Sequence, residues 1–192
     1  MLPRFQREVM IMKIFNRYLS RYEESREEIL TLQEYLELCK TDPTAYASAP
    51  ERLLKAIGEP QMVDTRNDQR LSRIFQNKVL KIYPAFEEFY GMEDAIEQIV
   101  SYLRHAAQGL EEKKQILYLL GPVGGGKSSL AERLKQLMER VSFYAIKDSP
   151  VFESPLGLFN PDEDGPILEE DYGIPNRYLR YIMSPWAAKR LQ

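Results

Sequence analysis

Apolar and charged residues alternate with the period of a helix over residues 12–40. The apolar positions of this stretch are Ile14, Phe15, Tyr18, Leu19, Tyr22, Leu32, Tyr35 and Leu36. Residues three or four positions apart lie on one face of a helix, so this spacing predicts amphipathic helices. Thr31 followed three positions later by Glu34 is a capping box, which is typical of a helix start. We therefore predict two helices in this region.

Turn-forming residues interrupt the pattern over residues 41–69. The turn formers are Pro43, Pro50, Gly58 and Pro60. They surround one short helical segment, residues 51–57. Proline and glycine end regular elements because proline lacks a backbone N–H and glycine is conformationally free. This stretch is predicted to be a connector.

The pattern becomes regular again after Pro84. An aromatic segment, residues 86–90, precedes Gly91, and an amphipathic segment follows over residues 92–108. One face of this segment carries Ile96, Ile99, Val100 and Leu103. Such an apolar stripe predicts a helix that packs against the core.

A strand, a helix and a second strand are predicted next. Residues 115–120 (QILYLL) form a short apolar run, as in a central parallel strand that is covered on both faces. Residues 127–140 carry apolar side chains at helical spacing, namely Leu130, Leu134, Leu137 and Met138. Residues 141–146 (VSFYAI) predict a second strand, which completes one βαβ unit.

Residues 121–128 (GPVGGGKS), between the first predicted strand and its helix, fit the P-loop template G-x-x-x-x-G-K-[ST] at every constrained position. Gly124, Gly125 and Gly126 lack a Cβ, so their backbone N–H groups can turn toward phosphate oxygens. A helix that starts here also directs its N-terminal donors and dipole toward an anion. The alternative is a glycine-rich turn that happens to carry a lysine. It is disfavoured because a strand and a helix are predicted on either side.

The P-loop pattern assigns a role to each side chain. Lys127 is predicted to contact the β and γ phosphates, Ser128 to ligate Mg²⁺, and Ser129 to donate its backbone N–H. The predicted phosphate-binding residues are Gly121, Gly124, Gly125, Gly126, Lys127, Ser128 and Ser129. We therefore expect the chain to bind a nucleotide through its phosphates, together with Mg²⁺.

Composition narrows the class of protein. With 44% hydrophobic and 29% charged residues, the 192-residue chain has the composition of a globular protein of one or two domains. It has no apolar run of membrane-spanning length and no signal-peptide pattern, so we expect a cytoplasmic protein without a membrane partner. A net charge of −3 disfavours nucleic acid as a partner. A single cysteine, Cys39, and a single histidine, His105, exclude an internal disulfide and a Cys/His zinc cluster.

Residues 89–96 (FYGMEDAI) resemble the box that opens AAA+ ATPase modules. In that family the residues beside the glycine commonly flank the adenine, which implies this role for Phe89, Tyr90 and Gly91. From Met12 to its end, the chain resembles the N-terminal part of the bacterial PrkA family, described as serine protein kinases with an AAA-type domain. The segments that carry the resemblance are residues 51–60 (ERLLKAIGEP), 83–94 (YPAFEEFYGMED), the P-loop and 183–191 (MSPWAAKRL).

The resemblance implies an α/β fold, namely a P-loop NTPase core of the AAA+ type with a parallel sheet, preceded by an α-helical N-terminal region. It divides the chain into an upstream extension over residues 1–11, a helical region and connector over 12–83, and the N-terminal part of an ATP-binding domain over 84–192. Met1 and Met12 both stay candidates for the true start. Because PrkA-type proteins are several times longer, we expect the sheet to be incomplete.

Catalytic residues are not identified by the sequence. Hydrolysis by AAA+ modules needs a strand that ends in acidic residues, and the nearest candidate, residues 167–171 (ILEED), is too short for a buried strand. We predict a solvated loop or a helix start there, which includes Glu169, Glu170 and Asp171. A kinase of the eukaryotic type needs an H-R-D motif. His105 is not part of one and is predicted to be a partly exposed helix residue.

Three functions stay open. The parent protein is an ATP-dependent, PrkA-like serine protein kinase, or an AAA+ ATPase that acts on protein partners without kinase activity, or the chain is a nucleotide-binding module without catalysis. By the resemblance, a protein substrate and homo-oligomerisation are expected of the full-length protein. Because no acidic strand is recognisable, the chain alone is predicted not to turn over ATP.

Overall fold

Both helices predicted for the N-terminal region are present in the structure, a computed structural model that describes residues 13–20, 28–67, 69–180 and 182–190. Helix α1 covers residues 13–20, and helix α2 covers Leu32–Thr41. The described residues do not include the predicted upstream extension, residues 1–11. They also do not include Met12 or Tyr22. Contacts divide the chain into two units, Met1–Tyr35 and Leu36–Gln192.

The predicted capping box at the start of α2 is confirmed. The Glu34 carboxylate accepts hydrogen bonds from the backbone N–H and the hydroxyl of Thr31, both at 2.7 Å. In return, the Thr31 hydroxyl oxygen accepts the Glu34 backbone N–H at 3.3 Å. These two residues therefore satisfy backbone donors that the first turn of a helix leaves free.

The second unit carries the remaining regular elements. In chain order they are α3 (Ala49–Ile57), β1 (Gln61–Asp64), α4 (Gln69–Phe75), β2 (Val79–Ile82), α5 (Glu93–Ala107), α6 (Lys127–Glu139), α7 (Gly165–Tyr172) and α8 (Pro185–Arg190). Short 3₁₀ turns connect several of them. None of the helices in the described parts of the chain is both long and apolar enough to cross a membrane.

The main core lies among α3, α5 and α6. Its buried residues are Ile57, Tyr83, Phe86, Ile96, Ile99, Val100, Leu103, Leu130 and Leu137. All four apolar residues predicted for one face of α5 are among them, which confirms the amphipathic pattern. Each such side chain contributes about 1.5–3 kcal/mol when it is fully removed from water. The apolar faces of these helices are therefore the main source of stability in this unit.

The antiparallel pair β1–β2 was not predicted from the sequence, where residues 41–69 were expected to be a connector. Gln61 pairs with Ile82 and Asp64 with Val79 in this two-stranded sheet. Its apolar side packs with α4 in a small cluster of Leu71, Phe75 and Leu80. The connector prediction is wrong for β1 because four-residue strands carry too little alternation to be recognised.

The two predicted parallel strands, residues 115–120 and 141–146, are not strands in the structure. Within the described residues the sheet holds β1 and β2 alone, so neither the βαβ unit nor a parallel sheet is formed. The physical reason is that a strand satisfies its backbone N–H and C=O groups only through a neighbouring strand. The described parts of the chain provide no such neighbour for these two segments.

The acidic segment at residues 167–171, which was considered as a possible strand, is helical in the structure. Glu169, Glu170 and Asp171 lie on α7 and are exposed, as predicted for a solvated helix rather than a buried strand. Helix α8 begins at Pro185, and the Ser184 hydroxyl oxygen accepts the Ala187 N–H at 3.3 Å. Proline at the first helical position is favoured because its missing N–H would have no partner there.

Candidate functional site

The loop before α6 is shaped by its glycines. Gly124 and Gly126 have φ angles of +80° and +73°, a left-handed conformation that other residues rarely adopt. A Cβ on Gly126 would lie 2.9 Å from the Met92 sulfur, closer than real side chains approach. Another residue at position 126 would therefore strain the backbone and displace the Met92 side chain.

Helix α6 begins immediately after this loop and leaves its first backbone donors free. The first helical hydrogen bond runs from the Leu130 N–H to the Gly126 oxygen at 2.9 Å. In the described hydrogen-bond network no acceptor is found for the N–H groups of Gly126, Lys127, Ser128 and Ser129. These donors and the helix dipole make the start of α6 favourable for an anion.

Lys127 is bound to the carbonyl oxygens of its own loop. Its ammonium donates hydrogen bonds to the Gly121 oxygen at 2.9 Å and to the Pro122 oxygen at 2.6 Å. Among the described residues, no carboxylate forms an ion pair with it. The positive charge at the base of the loop is therefore not neutralised by a neighbouring acid.

A cleft of about 1070 Å³ opens at the start of α6. It brings together most of the predicted site residues, namely Gly124, Gly125, Gly126, Ser128, Ser129, Phe89 and Tyr90. Gly121 and Lys127 do not line it but lie at the base of the loop, joined by their hydrogen bond. Gly91 does not line it either and follows Tyr90 with a φ of +77°.

The cleft also contains residues that the sequence analysis missed. Glu132 and Gln136 follow Ser128 at intervals of four, and Arg133 follows Ser129 by the same interval, so they continue the P-loop face along α6. This four-residue spacing could have identified Glu132, Arg133 and Gln136 from the sequence. Arg133 also donates from Nε to the Ala85 oxygen at 2.8 Å and lies 3.7 Å from the Glu88 carboxylate. It thereby links α6 to the segment that carries Phe89 and Tyr90.

Ser128, the residue predicted to ligate Mg²⁺, lines the cleft. Its side chain is exposed in the cleft, where Glu88 and Glu132 are the acidic residues of the lining. In the part of the chain that the structure describes, no three Asp, Glu, His or Cys residues are grouped so that they could hold a metal ion. A cation here would therefore depend on ligands that it brings with it, such as phosphate oxygens and water.

Cys39 and His105 both lie on helices. Cys39 is buried and forms no disulfide among the described residues. His105 is half exposed on α5, and its Nδ1 lies 3.0 Å from the Glu112 carboxylate. Neither residue lines the cleft.

Comparison with known families identifies the fold to which this site belongs. The model of the PrkA AAA domain matches residues 30–192. The chain belongs to the PrkA AAA domain family. The resemblance seen in the sequence is thereby confirmed, and membership of an AAA domain family implies a P-loop NTPase fold.

Relatives of this PrkA AAA domain have different names. Over 184 residues the chain is 68% identical to serine/threonine kinase YeaG of Escherichia coli strain K12, and this match covers 94% of the chain and 29% of that protein. Over 184 residues it is 31% identical to ATP-dependent protease PrkA of Bacillus subtilis strain 168, and this match covers 91% of the chain and 27% of that protein. The chain thus spans less than a third of the length of either relative. No solved structure matches it.

Proposed function

We propose that this PrkA AAA domain binds ATP with Mg²⁺ through the loop and helix start at residues 121–129. The observation that carries the proposal is the position of the free N–H donors of α6. They lie in the same cleft as the aromatic residues Phe89 and Tyr90. An anion-binding helix start next to apolar rings suits a ligand with a phosphate chain and a flat base.

Each end of the cleft has a proposed task. The phosphates lie against the N–H groups of residues 124–129, and the base lies against Phe89 and Tyr90, with Gly91 allowing the chain to turn beside it. Lys127 leaves the carbonyl oxygens of Gly121 and Pro122 and binds the β and γ phosphates. Ser128 supplies one oxygen ligand to Mg²⁺.

Calorimetry with Mg-ATP tests the proposal. Lys127→Ala is expected to weaken binding by about 10-fold to 150-fold, because a hydrogen bond to a charged group contributes about 1.5–3 kcal/mol. Lys114→Ala is the matched control, since Lys114 carries the same charge, is exposed and lies outside the cleft. Equal affinities for the two folded variants would contradict the assignment of the P-loop.

Ser128 and Ser129 offer a second comparison within the same loop. Ser128→Ala is expected to weaken ATP binding mainly when Mg²⁺ is present, whereas Ser129→Ala should have little effect because its backbone donor remains. The measurement is ATP affinity with Mg²⁺ and with EDTA. Equal weakening by Ser128→Ala in both buffers would count against a metal ligand.

For the whole protein we propose an ATP-dependent serine kinase that acts on a protein substrate. The name of the E. coli relative supports this choice. An AAA+ ATPase that acts on protein partners without kinase activity is the second candidate, favoured by the name of the B. subtilis relative. Transfer of γ-labelled phosphate to protein would support the first, and phosphate release without labelled protein the second.

This chain alone is proposed to bind ATP without turning it over. The reason is that the described residues contain no group of three or more Asp, Glu, His or Cys side chains that could hold a metal and position water. Its catalytic residues stay unassigned. Lys127-dependent phosphate release by the purified chain would contradict the proposal that this chain does not turn over ATP.

We also propose a cytoplasmic location and homo-oligomerisation for the full-length protein. For the chain we propose an upstream extension over residues 1–11, a helical region and connector over 12–83, and the N-terminal part of an ATP-binding domain over 84–192.

A further inference from the structure

A methionine side chain lies against the glycine loop. A Cβ placed on Gly126 would be 2.9 Å from the Met92 sulfur and 3.7 Å from its Cε, so the end of this side chain contacts the residue that precedes α6. Of the methionines that the structure describes, Met92 lines the cleft, whereas Met62, Met138 and Met183 do not. Its thioether therefore lies at the end of the cleft where the phosphates are proposed to bind.

The backbone of Met92 is fixed at the start of α5. Its N–H donates to the Phe89 oxygen at 3.4 Å, and its oxygen accepts the Ile96 N–H at 2.9 Å. Ile96 is itself buried in the main core. A chemical change at the Met92 sulfur is therefore absorbed by the side chain and by the loop that it contacts, rather than by a movement of α5.

The surroundings of the sulfur restrict where an added oxygen can point. Methionine is oxidised to its sulfoxide, which turns an apolar side chain into a polar one. Met92 is half-buried and packs partly against the main core, where an oxygen without a hydrogen-bond donor is unfavourable. The remaining directions lead to the glycine loop and into the cleft. Both belong to the phosphate end.

The loop also offers donors to such an oxygen. The N–H of Gly126 has no acceptor in the described hydrogen-bond network. The Cβ position and the nitrogen of a residue are bonded to the same Cα, so a sulfur that is close to the first is also close to the second. A sulfoxide oxygen at Met92 would therefore occupy backbone donors that are proposed to hold phosphate.

We propose that Met92 is an oxidation site, and that its sulfoxide prevents the loop before α6 from binding phosphate. The inference rests on the proposed binding of ATP at residues 121–129. The oxidant is hydrogen peroxide: a lone pair of the sulfur attacks one peroxide oxygen, an S–O bond forms, the O–O bond breaks, and water leaves. The sulfur loses two electrons, and the peroxide gains them.

The modification is reversible by chemistry of a known class. Methionine sulfoxide reductases return the sulfoxide to the thioether, with one enzyme for each sulfoxide epimer. Two thiols supply the two electrons and become a disulfide, and the sulfoxide oxygen leaves as water. Oxidation of Met92 would thus switch ATP binding off, and reduction would restore it.

Calorimetry with Mg-ATP, before and after treatment with dilute hydrogen peroxide, tests the proposal. Peptide mass spectrometry measures the fraction of sulfoxide at each methionine. ATP affinity is expected to fall by about tenfold or more as Met92 is oxidised, because losing one hydrogen bond to a charged group already has an effect of this size. Both reductases together should restore the affinity. The thiol reductant alone should not, which excludes an oxidised Cys39 as the cause.

Two variants make the test specific. Met92→Leu has a similar size and cannot form a sulfoxide, so it should retain its own starting affinity after peroxide treatment. Met62→Leu is the matched control and should lose affinity as the natural sequence does, since Met62 is 62% exposed and lies outside the cleft. Each protein is compared with itself before and after treatment, so a changed starting affinity does not affect the result.

Protection by the ligand is a further readout. Saturating Mg-ATP should slow the oxidation of Met92 and leave that of Met62 unchanged, because a bound nucleotide fills the cleft and keeps peroxide away from the sulfur.

The possible results separate this inference from the proposed function. Mg-ATP binding that survives complete oxidation of Met92 would overturn the inference and leave the proposed function intact. An equal loss of affinity in Met92→Leu would also overturn it, since the effect would then belong to another residue. If the untreated chain did not bind Mg-ATP, the proposed function would fail, and this inference with it.

Discussion

Helix α5 and the segment at residues 115–120 are both apolar, yet they end in opposite environments. Helix α5 buries Ile96, Ile99, Val100 and Leu103, whereas the segment at residues 115–120 leaves four large apolar side chains exposed. A helix satisfies its backbone hydrogen bonds within itself, so its apolar face is free to pack on whatever core is near. A strand needs a neighbour before its side chains can be buried. The apolar residues of α5 could therefore become core, because the backbone of this helix is satisfied locally.

The small sheet follows the same rule. Strands β1 and β2 are separated along the chain only by α4 and its flanking turns, and they pair in full register. Thr65 strengthens the junction, since its N–H and its hydroxyl both donate to the Lys78 oxygen, at 3.0 and 2.8 Å. Closing a short loop is entropically easier than joining distant strands. Strands β1 and β2 are close in sequence, and their pairing is therefore favoured.

The largest effect is expected from a pair of matched leucines. Leu130 in α6 is 1% exposed, and Leu120 in the segment at residues 115–120 is 81% exposed. Leu130→Ala should lower the free energy of unfolding by about 2–5 kcal/mol, because it leaves a cavity in the main core. Leu120→Ala should change it by no more than about 0.5 kcal/mol. Urea unfolding of both variants is the measurement, and similar losses would show that Leu120 is packed in solution.

Bound ATP should stabilise the helical core and leave residues 115–120 exposed. At a hundredfold excess over Kd, a ligand that binds only the folded state adds about 2.7 kcal/mol to the free energy of unfolding. The hydrogen exchange of amides 116–120 should not change, because ATP supplies no strand. Thermal unfolding with and without Mg-ATP measures the first effect, and at the same ATP concentration Lys127→Ala should reduce it to about 0.3–1.4 kcal/mol. A gain in Lys127→Ala as large as in the natural sequence would place ATP elsewhere.

Arg52 lies on α3 and contacts Phe143, a residue of the other segment that was predicted to be a strand. It therefore tests how well a helix of the core is packed against such a segment. Burial lowers the pKa of its guanidinium, and two of its nitrogens are buried without a partner. Arg52→Met keeps the apolar stem and removes these donors, at the expense of the contact with the Phe143 ring. We expect a net gain of about 1 kcal/mol in the free energy of unfolding, since an unsatisfied buried donor is unfavourable by about 1–3 kcal/mol.

The control for Arg52→Met lies on the same helix. Lys55 is exposed, so Lys55→Met should change the free energy of unfolding by no more than about 0.5 kcal/mol. Urea unfolding of both variants decides the matter. A clear loss of stability in Arg52→Met alone would mean that the guanidinium has a partner in solution.

The smallest effect concerns pH and the capping box of α2. The backbone hydrogen bond from Thr31, followed by the bond from its hydroxyl, lowers the pKa of the Glu34 carboxyl. A lowered pKa in the folded state stabilises the helix above the usual pKa of glutamate, and this contribution is lost as the pH falls through the lowered value. Helicity of α2, followed by NMR between neutral and acidic pH, should therefore decrease in that window.

Glu34→Gln separates this effect from other acidic groups. Glutamine can still accept the Thr31 N–H, but it does not titrate. The variant should keep most of the helix at neutral pH and lose the dependence on pH at this position. An unchanged acid transition of α2 in Glu34→Gln would assign the transition to another carboxyl.

The site was largely predictable from sequence because its geometry is local. The positive φ angles of Gly124 and Gly126, the start of α6 at Lys127 and the capping box at Thr31 all follow from contacts within a few residues. The position of Phe89 and Tyr90 in the same cleft depends on packing between distant segments. It entered only through the likeness to AAA+ modules. Arg133 and Met92 were missed because their contacts, to Ala85 and Gly126, join segments far apart in sequence.

The sequence by itself determined helices α1, α2, α3, α5 and α6, the buried face of α5, the glycine loop and the likeness to PrkA. These features depend on hydrogen bonds and side-chain spacing within single segments. Tertiary structure alone decided which apolar segments became buried. Residues 115–120 have the composition of an interior strand but are largely exposed, whereas the short strands β1 and β2 pair with each other. The physical reason is that a strand has no stable form of its own, because its backbone groups are satisfied only by a partner that its own residues do not encode.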